Sequence, residues 1–177
     1  MVRTTMVDLI RLYTQIAVLR RGPQDVPASA FLLAVTIIGY ILVNSIVNAV
    51  LPPLDGPWLP RLMLDVAFNF AWFALWLKVV RRPERILQTT TAVFGFQAVL
   101  APILIVSEWL TERYQHDQLW QLPFSLMALV LLIWLIAALG HVVKAALEWS
   151  GPASVGLVIL QILVEYLLAV SISPLKS

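Results

Sequence analysis

The sequence predicts an all-α fold: a polytopic integral membrane helix bundle of about five transmembrane helices, preceded by an amphipathic interfacial helix. Three observations predict it. Hydrophobic residues make up 60% of the 177-residue chain and charged residues 12%, against roughly 45–50% and about 25% in soluble domains. The mean hydropathy of +0.88 agrees with that excess. Five apolar runs each approach the ~20 residues that a helix needs to cross a ~30 Å hydrocarbon core. Lysines and arginines gather at alternate ends of those runs, as membrane topology requires.

In chain order, residues 1–28 form the interfacial segment, 29–173 the five-span bundle and 174–177 a short tail. The segment begins with apolar side chains at positions 6, 9, 10, 13, 16 and 17, which is helical spacing. Asp8, Arg11 and Gln15 fall on the other side, and Thr5 is placed to cap the start. Met6, Ile10, Tyr13 and Ile16 are the candidate docking residues, facing either the membrane interface and a partner or the protein's own bundle. Arg20-Arg21-Gly22-Pro23 ends the helix. The first long apolar run begins near Phe31, too late for a cleavable signal peptide.

Span one is expected from about Ser29 to Val50, stopped by Leu51-Pro52-Pro53, and span two from about Trp58 to Val80. Span three starts near Ile86 and contains Pro102, which should kink it. An outer loop is expected from about Ser107 to Gln118. Spans four and five are expected at about Leu119–Val143 and Ala153–Ser173.

Charge sets the orientation. Arg3, Arg11, Arg20, Arg21, Lys78, Arg81, Arg82, Arg85 and Lys144 fall on one side, nine against the three of Arg61, Arg113 and Lys176. The richer side is cytoplasmic by the positive-inside rule. A bacterial inner membrane is expected, with the N-terminus in the cytoplasm and the C-terminus in the periplasm.

Several chemistries find no support. There is no cysteine, which removes disulfides, thiolate metal sites and cysteine nucleophiles. No phosphate-cradling glycine loop and no paired-histidine metal motif occurs. Ser107, Glu108, His116 and Asp117 share the outer loop, but no nucleophile elbow would expose the serine. No catalytic residue, cofactor or metal is expected, and the basic balance is spent on topology rather than on nucleic acid.

The informative residues are polar ones inside the spans, where they tend to face protein or water. Asn44 and Asn48 lie in span one with Ser45 between them, Asp65 and Asn69 in span two, and Gln161 and Glu165 in span five. Each pair is spaced i, i+4 and so shares a helix face. These six are the candidate intramembrane polar site. Hydrogen bonding between helices is the plain explanation for the amides. A carboxyl group at Glu165, near the middle of its span, needs either a proton or a cation beside it. Small residues along spans three and four (Gly95, Ala98, Ala101; Ala137, Ala138, Gly140, Ala145) allow close helix packing, internally or in a homo-oligomer.

The layout resembles the Yip1-type family of small five-span membrane proteins. The resemblance rests on the N-terminal amphipathic helix, the basic-proline approaches Arg20-Arg21-Gly22-Pro23 and Arg81-Arg82-Pro83, and the stretch from Ile86-Leu87-Gln88 to Leu100-Ala101-Pro102. The region from Trp134 to Leu147 is similar to that family's fourth span, while glycine pairs at the start of the third are missing. The resemblance implies a non-enzymatic protein that organises partners. The expected function is therefore a scaffold or accessory subunit in the lipid bilayer, binding another membrane protein or itself as a homo-oligomer. The alternative is a small transporter or an ion or proton pathway using Asp65 and Glu165.

Overall fold

A computed structural model describes residues 6–51 and 58–172 as six helices joined by short turns. They are α1 (Met6–Ala17), α2 (Ala30–Val50), α3 (Trp58–Val79), α4 (Ile86–Arg113), α5 (Gln121–Leu147) and α6 (Gly151–Ile172). Short 3-10 turns, Pro23–Asp25 and Pro83–Arg85, introduce α2 and α4. No strand occurs among the described residues. The expected cap Thr5, the prolines after Leu51 and the tail 174–177 lie outside the described residues.

The helices α2 to α6 are long and apolar enough to cross a membrane. Their lengths differ. With a rise of ~1.5 Å per residue, the 28 residues of α4 reach about 42 Å and the 21 of α2 about 32 Å. Ser29 starts α2 by accepting the Leu32 backbone N–H at 3.3 Å on its hydroxyl, a capping interaction.

The structure departs from the sequence reading at the end of span three. Ser107 to Arg113 continue α4 instead of opening a loop. The Thr111 hydroxyl donates to the Ser107 carbonyl at 2.9 Å, and the Tyr114 ring meets Phe124 of α5 at 5.2 Å between centroids. Charged residues at a helix end emerging from the apolar layer are tolerated because they reach water, so Glu108 and Glu112 do not stop the helix. The turn to α5 is consequently short, and the Asp117 carboxylate organises it by accepting the backbone N–H groups of Leu119 and Trp120.

The N-terminal half of α4 is the axis of the bundle. Every residue from Thr89 to Phe96 is buried, with α1, α2, α3 and α5 packed around it. A helix surrounded in this way needs no polar stripe, and its hydroxyls turn inward: Thr90 and Thr91 donate to the carbonyls of Ile86 and Leu87, both at 2.6 Å. The main core joins α1 to α4, α5 and α6 through Leu12, Ile16, Phe96, Leu139, Val142 and Val158.

The α1 helix packs onto this bundle by one face. Tyr13 and Ile16 are buried, whereas Met6 and Ile10 are 68% and 54% exposed. Gly95 admits the helix: a Cβ there would stand 2.4 Å from the Tyr13 ring. Polar bonds fix the same segment. The Tyr13 hydroxyl pairs with Thr36 at 2.8 Å, the Trp134 indole donates to the Ala17 carbonyl at 2.8 Å, and the Gln88 amide donates to the Val26 carbonyl at 3.0 Å.

Candidate functional site

At the end of the bundle away from α1, five helices line a half-open cavity of about 230 Å³. One half of its lining is polar: Tyr40 and Asn44 of α2, Asp65 of α3, Gln97 of α4, and Gln161 and Glu165 of α6. The other half is apolar, from Ala101, Leu104 and Ile105 of α4, Leu135 and Leu139 of α5, and Ile162 of α6. Asp65 lies seven residues from the start of α3 and Glu165 seven from the end of α6. Both carboxyls therefore sit roughly 10 Å inside the helix ends. The fold brings them together because α3 and α6 run antiparallel and pack against each other.

A continuous hydrogen-bonded chain organises the polar half. The Tyr40 hydroxyl donates to Asp65 Oδ2 at 2.7 Å, and Asn69 Nδ2 donates to Asp65 Oδ1 at 2.7 Å. Gln161 Nε2 in turn donates to Asn69 Oδ1 at 2.8 Å, tying α6 to α3. The Glu165 carboxyl lies beside that of Asp65 in the lining of the same cavity. Two carboxyls set side by side away from water repel each other when both are ionised, and a proton or a cation between them relieves that. The partner of Glu165 is thus another acid rather than Lys144, which is exposed near the opposite end of the bundle.

The six sequence-predicted residues divide three ways. Asn44, Asp65, Gln161 and Glu165 line the cavity. Asn69 stands behind it as the bridge between Asp65 and Gln161. Asn48 turns back on its own helix, donating to the Asn44 carbonyl at 2.9 Å. Two cavity residues, Tyr40 and Gln97, were not legible as site residues. Tyr40 continues the i, i+4 series of Asn44 and Asn48 by one step, a signal that its apolar ring hides. Gln97 stands alone on α4 with no polar neighbour at helical spacing on that face.

Two buried acceptors in the cavity wall are unpartnered, Gln97 Oε1 and Gln161 Oε1. Gln161 is only 1% exposed. Among the described residues, no group of three or more His, Cys, Asp or Glu side chains is arranged to hold a metal ion. Ser107 is buried within α4, whereas His116 is exposed in the turn that follows.

A second charged cluster lies at the other end of the bundle, outside the spans. Arg82 and Arg85 both pair with Glu148, joining the α3–α4 turn to the α5–α6 turn. Arg85 also donates to the Ala145 and Ala146 carbonyls at 3.1 and 3.2 Å, satisfying the free end of α5. The hydrogen bonds from Arg82 and Arg85 hold the Glu148 carboxyl well below its ordinary range, at about 2. The chain matches no protein-family model, no curated protein and no solved structure.

Proposed function

We propose that this protein is a small transporter, or an ion or proton pathway, working through Asp65 and Glu165. One observation carries the reading: two acidic side chains side by side within the spans, lining a cavity rather than buried in packing. Ionisable groups at such depth are unfavourable unless paired or hydrated, and they characteristically mark proton and ion routes. Hydrogen bonds among neutral amides account for helix packing, but they give no reason for two carboxyls to meet at a cavity. The positive-inside count supports a bacterial inner membrane, with α1 and the Arg82–Arg85–Glu148 cluster on the cytoplasmic side and the cavity toward the periplasm.

Reconstituted protein tests this. Liposomes carrying a pH-sensitive dye are placed under an imposed proton gradient, with Na⁺, K⁺ or a simple organic ammonium opposite. A protein-dependent flux is expected with at least one of these, and Glu165→Gln should abolish it while the variant remains folded and monodisperse. Equal flux in wild type and variant removes Glu165 as the carrier.

A second reading, a scaffold or accessory subunit, is favoured by α1. Met6, Val7 and Ile10 project from it without cover from the bundle, next to Arg11. This suits docking to another membrane protein or to a second copy, and it agrees with the Yip1-type layout. Since Tyr13 and Ile16 belong to the core, deleting α1 would damage the bundle. The cleaner test is the double variant Met6→Gln, Ile10→Gln, which should lose a stoichiometric co-purifying protein or the homo-oligomer and keep its thermal stability.

A further inference from the structure

The two fully buried side-chain atoms of the cavity lining that have no partner are both acceptors. The Tyr40 hydroxyl is committed to Asp65, and one N–H of each of Asn44 and Gln161 is committed to the Tyr40 carbonyl and to Asn69. Unpaired are Gln97 Oε1 and Gln161 Oε1, beside the Asp65–Glu165 carboxyl pair. A buried acceptor without a partner costs roughly 1–3 kcal/mol, and more when charge is involved. A ligand that brings N–H donors and a positive charge removes that cost. An anion or a pure acceptor adds to it.

Shape narrows the class. A cavity of about 230 Å³ falls below the ~300 Å³ at which pockets begin to hold drug-sized molecules. It is nevertheless far larger than a desolvated ion held by oxygens at ~2–2.6 Å requires. Leu104, Ile105, Leu135 and Ile162 give the remaining space an apolar wall suited to a short carbon skeleton. We propose that the ligand of this cavity is a small primary organic ammonium, its N–H groups on Gln97, Gln161 and the Asp65–Glu165 pair and its hydrocarbon part against α4 and α5. This rests on the transporter reading of the same site and names its substrate class.

Charge balance gives the exchange. The titratable groups lining the cavity are Tyr40, Asp65 and Glu165, and α4 and α5 contribute none. The exchange proposed runs between two neutral states, the empty site with a proton on each carboxyl and the occupied site with one proton fewer. An ammonium R–NH₃⁺ enters, one carboxyl proton leaves to water, and the occupied site is neutral again. Neutrality in both states avoids leaving a net charge in a low-dielectric setting. One proton is released for each ammonium bound, with no redox change.

Isothermal titration of the intact protein in a mild non-ionic detergent tests this, with n-butylammonium as the probe. Saturable binding is expected, with heats in buffers of different ionisation enthalpy reporting about one proton released. The quaternary analogue n-butyltrimethylammonium has no N–H and should bind about tenfold more weakly or worse, with n-butanol and NaCl weaker still. Gln97→Leu should weaken n-butylammonium by a similar factor with unchanged thermal stability, and Glu165→Gln should remove the proton release. Equal binding of the quaternary analogue overturns the proposal. Flux that needs Glu165 but occurs with protons or Na⁺, without n-butylammonium binding, overturns this substrate class and leaves the transporter reading standing. Absence of both flux and binding overturns the two together.

Discussion

Individual residues show most directly how local chemistry sets the fold. The Glu148 carboxyl is depressed from 4.5 to about 2 by hydrogen bonds from Arg82 and Arg85. Its contribution to stability is therefore present above pH ~4.5 and lost as pH falls toward ~2. Thermal unfolding followed by tryptophan fluorescence should show a midpoint falling across that interval, less steeply in Glu148→Gln. Because Glu148 is exposed, the difference should shrink in high salt. Gly95 makes a steric prediction. Gly95→Ala sets a methyl group 2.4 Å from the Tyr13 ring, and overpacking of this kind costs about 1–3 kcal/mol. A lower melting midpoint is expected, largely restored when Tyr13→Ala is added; a neutral Gly95→Ala would mean that the ring moves aside freely. At this scale the polar site was half legible. Paired spacing identified Asn44, Asp65, Gln161 and Glu165, whereas Gln97 has no pair and Tyr40 carries its polar atom on an apolar ring.

Among the elements, α4 departed most from the sequence reading, while for α1 the sequence left two coverings open. Periodicity shows which face of α1 is apolar but not what will cover it, and the bundle takes Tyr13 and Ile16 while leaving Met6 and Ile10 outside. Span three ended too early in the sequence reading, because the charged stretch expected as a loop from about Ser107 stays helical to Arg113. Spans one, two, four and five required no tertiary information, since length and hydropathy alone define a crossing helix. The clasp on α1 can be tested through its hydrogen bonds. Trp134→Phe removes the indole donor to the Ala17 carbonyl and should cost about 1 kcal/mol. Amide exchange should then quicken over α1 with the exchange of α4 unchanged. Equal protection in both proteins would assign the docking of α1 to its apolar face alone.

For the whole molecule, the five-helix bundle was legible in the sequence, and its interior was not. Nothing in the order of residues says that α4 becomes the axis, or that α3 and α6 bring their acids to one cavity. Orientation in the membrane is open to direct measurement because the chain has no cysteine. Single variants Gln24→Cys and His116→Cys lie in exposed turns at opposite ends of the bundle. In intact cells a membrane-impermeant maleimide should label position 116 and spare position 24. The reverse pattern would invert the topology and place the cavity toward the cytoplasm.

The two ends of the bundle are built differently. Toward α1, the axis of α4 is packed solid from Thr89 to Phe96; beyond it lies the cavity. Tyr40 and Phe94 meet at that boundary with ring centroids 5.6 Å apart, so the hydroxyl that serves Asp65 belongs to the ring resting on the solid half. Tyr40 is in this way both floor and latch. Passage through the bundle would require this aromatic layer to part, and lifting the Tyr40 ring would break its bond to Asp65 in the same movement. On the transporter reading proposed above, that shared movement would couple cargo to proton through one side chain.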